Sequence, residues 1–97
     1  MPRLFVRKAA KADVAEAFSW YEARRTGSGP EFLDEISVSY EAIEGQPRRF
    51  QTILDDIQMA VVHRFPYLVY FVALRNRVSV LAVLHARRDP QVWQRRR

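Results

Sequence analysis

Arg87, Arg88 and Trp93 stand within a few positions of one another, and two guanidiniums beside an indole form the composition that dominates the energetic centre of protein interfaces. The bland alternative is that the three pack and cap the turn before Pro90. A guanidinium is planar and forked, so it grips carboxylate or phosphate in a bidentate way that lysine cannot copy. Arg64 is a further candidate for such a contact, the alternative being a structural ion pair with Asp55, Asp56 or Asp89. Trp20 lies off the apolar stripe of its helix, where a partner contact is more economical than leaving an indole in water. The chain has no cysteine, which removes disulfides, thiolate metal sites and a cysteine nucleophile. His63 and His85 sit on separate apolar strands without a chelating spacing, so neither a metal nor another cofactor is expected.

These side chains need a scaffold, and 97 residues, 48% of them hydrophobic, suffice for one domain over 1–97 with one compact core. No run approaches the roughly 18 apolar residues of a membrane span. The opening Met1-Pro2-Arg3 lacks the apolar run of a secretory leader, and with no cysteine the expectation is a reducing cytoplasm. A formal net charge of +5 points to anionic partners, namely nucleic acid, an acidic protein or anionic lipid. The predominance of arginine favours specific docking, although a GC-rich genome would produce the same bias.

Periodicity supplies the elements. Arg3 to Arg7 alternates weakly and suits a first or edge strand. Between about Ala9 and Arg25, Ala10, Val14, Ala17, Phe18 and Tyr21 recur at helical spacing. Thr26 to Gly29 breaks that helix, and Pro30-Glu31 suits the first turn of a second one, with Leu33, Ile36, Tyr40 and Ile43 as its buried stripe and Gly45 and Pro47 as its stop. The spacing predicts an antiparallel helical hairpin. Ile57–Phe65, Tyr67–Leu74 and Arg77–His85 then read as an antiparallel meander, with Arg75-Asn76 at a tight turn where Asn accepts positive φ. The fold class is α+β. The last two strands are apolar almost throughout, so both sheet faces must be covered. The hairpin takes one face, and Gln91-Val92-Trp93 is too little chain to close the other, which leaves that face to a partner. The closing Gln94-Arg95-Arg96-Arg97 is expected to fray.

The string Val62-His63-Arg64-Phe65-Pro66-Tyr67-Leu68-Val69-Tyr70-Phe71, followed by Val80-Leu81-Ala82-Val83-Leu84-His85-Ala86-Arg87-Arg88-Asp89-Pro90, resembles the C-terminal half of toxins in the RelE/ParE superfamily, with the ParE-like branch closer. Strand, helical hairpin and three-stranded meander is also the order of elements in that family, so the resemblance covers nearly the whole chain. It implies the toxin of a bacterial type II toxin-antitoxin pair, held silent in a hetero-oligomer by a cognate antitoxin. Across the superfamily, RelE-like members cleave messenger RNA on the ribosome and ParE-like members inhibit DNA gyrase.

The residues bear on that choice. Metal-free RNA cleavage needs a base for the 2′-hydroxyl, stabilisation of the phosphorane charge and a proton for the leaving oxygen. By resemblance Arg64 and Arg87 match two arginines of the nuclease set, and His85 offers a base, although a histidine ending an apolar strand is more often structural. Trp93 falls about where a tyrosine would stand, and an indole has no ionisable hydroxyl. The loop after the second helix carries Arg48 and Arg49 but then Asp55 and Asp56, two carboxylates that would repel a phosphate there. The nuclease set is incomplete, so the expectation is a non-enzymatic toxin that binds DNA gyrase through Arg87, Arg88, Trp93 and Arg64 and meets its antitoxin at Trp20. An mRNA endoribonuclease using Arg64, His85 and Arg87 is the first alternative. A non-toxic module acting only in operon co-repression is the second.

Overall fold

The computed structural model describes residues 3–97, and Met1 and Pro2 of the expected leaderless start lie outside the described residues. Strand β1 (Arg3–Val6) leads into helix α1 (Lys8–Arg24) and helix α2 (Ser28–Gly45), then a 3-10 turn (Pro47–Arg49). Four strands follow, β2 (Gln51–Leu54), β3 (Ile57–Val61), β4 (Tyr67–Ala73) and β5 (Arg77–His85), and a short helix α3 (Pro90–Gln94) closes the chain. The sheet order is β1-β5-β4-β3-β2, with β1 parallel to β5 and the other neighbours antiparallel. The fold is α+β as expected, and the hairpin packs on one face of the sheet.

Several boundaries move for local reasons. Helix α2 starts at Ser28, not Pro30, because Glu22 replaces the missing cap: its carboxylate accepts from the Gly27 amide at 3.0 Å and the Gly29 amide at 2.9 Å. Gly27 makes the turn at φ 96°, and a Cβ on Gly29 would meet the Phe18 ring at 2.6 Å. The buried stripe of α2 is Phe32, Ile36, Ser39 and Ile43, and the expected Leu33 faces solvent. Strand β3 ends at Val61, and Val62–Pro66 forms the turn to β4 with Arg64 at φ 71°. Asp55 and Arg64 are the non-glycine residues at positive φ, so Asn76 makes its turn without it.

Strand β2 was absent from the expected meander, and it turns Asp55-Asp56 into the tip of a hairpin. Register fixes where that tip lies. Ile57 opposes Val72 and Val61 opposes Leu68, while Tyr67 opposes His85. Asp55-Asp56 therefore sits at the end of the sheet remote from His85 and Arg64, and its carboxylates do not oppose a phosphate held there.

Two apolar layers flank the sheet. Between sheet and hairpin lie Phe32, Ile36, Ile43, Val62, Val69, Phe71, Val78, Val80 and Val83, with the small Ala10 and Ala17 letting α1 approach closely. On the far face Ile57, Tyr70, Val72, Leu81, Ala82 and Leu84 are buried against Trp93. A bulge opposite Tyr70 and Phe71 turns Leu81 and Ala82 both to that far face. The expectation that this face awaits a partner is corrected: one short helix closes it, because a single indole covers a large area.

The terminal arginines do not fray. Arg96 donates to both carboxylate oxygens of Asp13 and to the Leu81 carbonyl, and Arg97 makes a bidentate pair with Asp56. Asp13 also accepts from the Val83 amide at 3.0 Å, so α1 satisfies the part of the β5 edge that lies beyond the reach of β1. No helix among the described residues is long and apolar enough to cross a membrane.

Candidate functional site

The turn after β3 and the exit from β5 meet at one end of the sheet. Register pairs Tyr67 with His85, and the Ala86 amide donates to the Pro66 carbonyl at 2.9 Å, so the Arg64 turn and the Arg87-Arg88 turn are neighbours. Arg88 further donates its amide to the His85 carbonyl at 2.9 Å. Asp89 caps α3 by accepting from the Gln91 amide, and Pro90 occupies the first turn, where it needs no donor. Both Arg87 and Arg88 are exposed, and neither forms an ion pair among the described residues.

Arg64 is differently committed. Its guanidinium lies 3.5 Å from Glu35 and 3.7 Å from Glu31 of α2, in place of the expected Asp55, Asp56 or Asp89. Glu31 is shared with Arg25 at 2.7 Å, and His63 reaches Glu35 at 3.7 Å. The side chain of Arg64 remains 53% exposed, so the pair orients the guanidinium without hiding it. Beneath it Phe65 joins Tyr21, Phe32 and Tyr67 in an aromatic cluster that fixes the turn to the hairpin.

His85 packs edge-on to Tyr67 at 5.5 Å and its Nδ1 accepts from the Arg87 amide at 3.0 Å. That bond assigns the ring proton to Nε2, which leaves neither nitrogen with a free lone pair. As a general base His85 would first have to give up the Arg87 amide. Burial raises the phenol of Tyr67 above its ordinary value, and Tyr21 and Glu16 add to the effect while Arg88 opposes it. Tyr67 thus stays a neutral donor at physiological pH.

A groove of about 360 Å³ runs from this end along α1 and the free edge of β5. Trp20, Tyr21, Tyr67, His85 and Arg88 line it, with Asp13 and Glu16 on its acidic wall. Trp20 is 49% exposed, as its place off the stripe implied, and the Arg24 guanidinium lies 3.6 Å from its ring centroid. The structure therefore joins Trp20 to Arg88 and His85 across one groove, which sequence spacing did not suggest. The same groove brings in Tyr67, whose place after Pro66 was legible but whose role as a lining residue was not.

Trp93 is the misplaced candidate. It is 8% exposed and stacks on Tyr70 at 4.8 Å with the rings 13° apart, so it belongs to the core of the far face. Its nearness in sequence to Arg87 and Arg88 hid the reversal of direction at Asp89-Pro90.

The comparisons with known proteins bear on the fold and the family. In the solved structure of a chromosomal ParDE TA system from P. aeruginosa, a chain superposes with a TM-score of 0.79 at 12% identity, over 88% of this chain and 96% of that one, which establishes a common fold. No curated protein matches the sequence. The family described as the ParE toxin of type II toxin-antitoxin system, parDE, matches residues 4–90, from β1 to the first residue of α3, and with that span the chain belongs to the ParE toxin family.

Proposed function

We propose that this toxin inhibits DNA gyrase by docking through the end of the sheet that displays Arg87 and Arg88, with Arg64 beside them, and that a cognate antitoxin silences it by occupying the groove at Trp20. The observation that carries the reading is the pair of exposed guanidiniums, without ion partners among the described residues, on a turn held by Ala86, Arg88 and Asp89 hydrogen bonds. Arginines presented on a hydrogen-bonded turn lose little backbone freedom on binding, and an anchor of this kind contributes on the order of 2 kcal/mol, about thirtyfold in affinity. The solved ParDE neighbour supports a two-component assembly. An antitoxin segment that crossed the groove would cover Trp20 and reach Arg88 without disturbing either apolar layer.

The engaged Nδ1 of His85 speaks for binding over RNA chemistry. Induced expression in a bacterium, with DNA supercoiling and messenger integrity assayed from one culture, tests the choice. Loss of supercoiling with intact messengers is expected, and Arg87→Ala with Arg88→Ala should abolish it while melting persists. Messenger cleavage that disappears in Arg64→Ala or His85→Ala would overturn the reading in favour of the endoribonuclease. Unchecked growth under full expression would instead favour the module confined to operon co-repression.

A further inference from the structure

The other end of the sheet carries arginines of its own. Arg3 and Arg77 are register partners at the starts of β1 and β5, and Arg75 stands in the turn between β4 and β5. Arg48 and Arg49 form the 3-10 turn after α2. Arg48, Arg49 and Arg75 line one open concavity of about 820 Å³, with Leu74 at its edge. All five arginines are exposed, and among the described residues none of them forms an ion pair. Arg25, Arg64, Arg96 and Arg97, by contrast, each meet a carboxylate.

Two acids of this region are already committed: Glu44 accepts from the Leu4 amide at 2.8 Å, and Asp56 holds Arg97, which leaves Asp55 exposed at the β2–β3 tip. Five arginines against that one carboxylate repel one another, a cost that solubility alone does not require, since scattered charges serve it as well. The turn bearing Arg48 and Arg49 is also built to be rigid. Gln58 is buried beneath it and donates to the carbonyls of Pro47 at 2.6 Å and Phe50 at 3.0 Å, bracketing the two arginines. A buried amide spent on both sides of an exposed basic turn fixes the backbone from which the guanidiniums extend.

The chemistry selects the ligand. Unpaired guanidiniums fit phosphate oxygens. Single strands are gripped by exposed aromatic rings on which successive bases stack, and the concavity itself has none: Phe50 is half-buried with the Arg49 guanidinium 5.2 Å from its ring centroid, and the one exposed ring nearby, Phe5, lies outside it beneath the flanking Arg3 at 5.9 Å. Arg48, Arg49 and Arg75 lie in turns and not on a long helix or a strand ribbon of the kind that enters a groove to read base edges. We propose that Arg48, Arg49 and Arg75, flanked by Arg3 and Arg77, form a sequence-independent docking surface for the phosphate backbone of duplex DNA, at the opposite end of the sheet from Arg87 and Arg88. The surface does not depend on gyrase being the target.

Fluorescence anisotropy of the purified chain with a labelled mixed-sequence duplex tests it. The three arginines of the concavity predict a contribution of about −2.7 to the slope of log affinity against log salt, at about −0.9 per contact. Arg48→Gln with Arg49→Gln should make the slope shallower by about 1.8, and adding Arg75→Gln by about 0.9 more, leaving only what Arg3 and Arg77 add. Lys8→Gln with Lys11→Gln removes the same charge at the far end of β1 and should leave the slope unchanged. Melting curves of all variants should coincide, since exposed substitutions rarely disturb a fold. No binding of the parent at low salt, an equal effect of the lysine pair, or stronger binding to unpaired RNA, polyglutamate or phosphatidylserine vesicles than to the duplex would each overturn the proposal.

Discussion

Replacing Trp93 by alanine should unfold much of this protein's stability without touching the hairpin. An aromatic side chain of this kind buries about 150–250 Å², which at about 25 cal/mol per Å² sets an upper bound of roughly 4–6 kcal/mol. Trp93 is 8% exposed, so nearly all of that area is hidden, and it closes the layer formed by Ile57, Tyr70, Val72, Leu81 and Leu84. The helix α3 is five residues long and has no other fully buried side chain with which to collapse into the gap. The loss should therefore fall at about 3–5 kcal/mol, the range seen when large aromatics are truncated in cores. For a domain of this size each kcal/mol moves the melting midpoint by about 4–8 °C, so calorimetry should record a drop of at least about 12 °C. Trp93→Phe keeps a ring over Tyr70 and should lose less than half as much. An alanine variant that melts within a few degrees of the parent would show that the indole is displayed and not packed, and would restore it to the target surface.

Two further perturbations follow from buried polar groups. The Tyr40 hydroxyl is buried without a hydrogen-bond partner among the described residues, so Tyr40→Phe should be neutral or stabilising by up to about 1 kcal/mol near neutral pH, read from urea midpoints. Burial first, and the charge of Asp13 second, push that phenol up to about 12 from an ordinary 10.0. The folded state thus holds the proton more tightly, its contribution is complete below pH 10, and as pH rises through about 12 the parent should lose on the order of 2 kcal/mol that Tyr40→Phe does not; parallel pH profiles would refute this. Arg96→Gln should cost about 1–3 kcal/mol by leaving the half-buried Asp13 with the Val83 amide alone, and Asp13→Asn combined with Arg96→Gln should cost less than the sum of the two singles in denaturant melts, whereas strict additivity would mean that the pair is not coupled.

What the sequence disclosed and what it hid divide along physical lines. The hairpin, β4 and β5 were legible because each is long enough for its period to repeat, and the aromatic turn Arg64 to Tyr67 was legible as a motif. Strand β2 was not, since a four-residue edge strand with only Ile53 half-buried carries too few apolar positions to show alternation. The start of α2 was set by Glu22, a residue of the preceding helix, and no local rule at Pro30 could reveal it. Composition made Arg95 to Arg97 look like a solvated tail, but the partner of Arg96 lies 83 positions away. Trp93 was misread for a related reason: its residue type fits an interface hot spot and a core equally well, and only the stack on Tyr70 separates the two.

The same ambiguity applies to every arginine, and the structure resolves it by asking which guanidiniums meet a carboxylate. Arg64 ties the β3–β4 turn to α2 through Glu31 and Glu35, and Arg96 and Arg97 tie the C terminus to α1 and to the β2–β3 tip. These pairs join elements that are distant in sequence, so they act on the fold. The arginines that remain without such partners among the described residues include Arg87 and Arg88 at one end of the sheet and Arg48, Arg49 and Arg75 at the other. Lys8, Lys11 and Arg24 are exposed elsewhere, so these two groups are clusters within a wider basic surface. Salt should discriminate between the two classes, because the partly buried Arg96–Asp13 pair is screened far less than exposed guanidiniums reaching for an external anion. Raising ionic strength should weaken both docking surfaces while the fold persists, which makes the two forms of arginine separable in one titration.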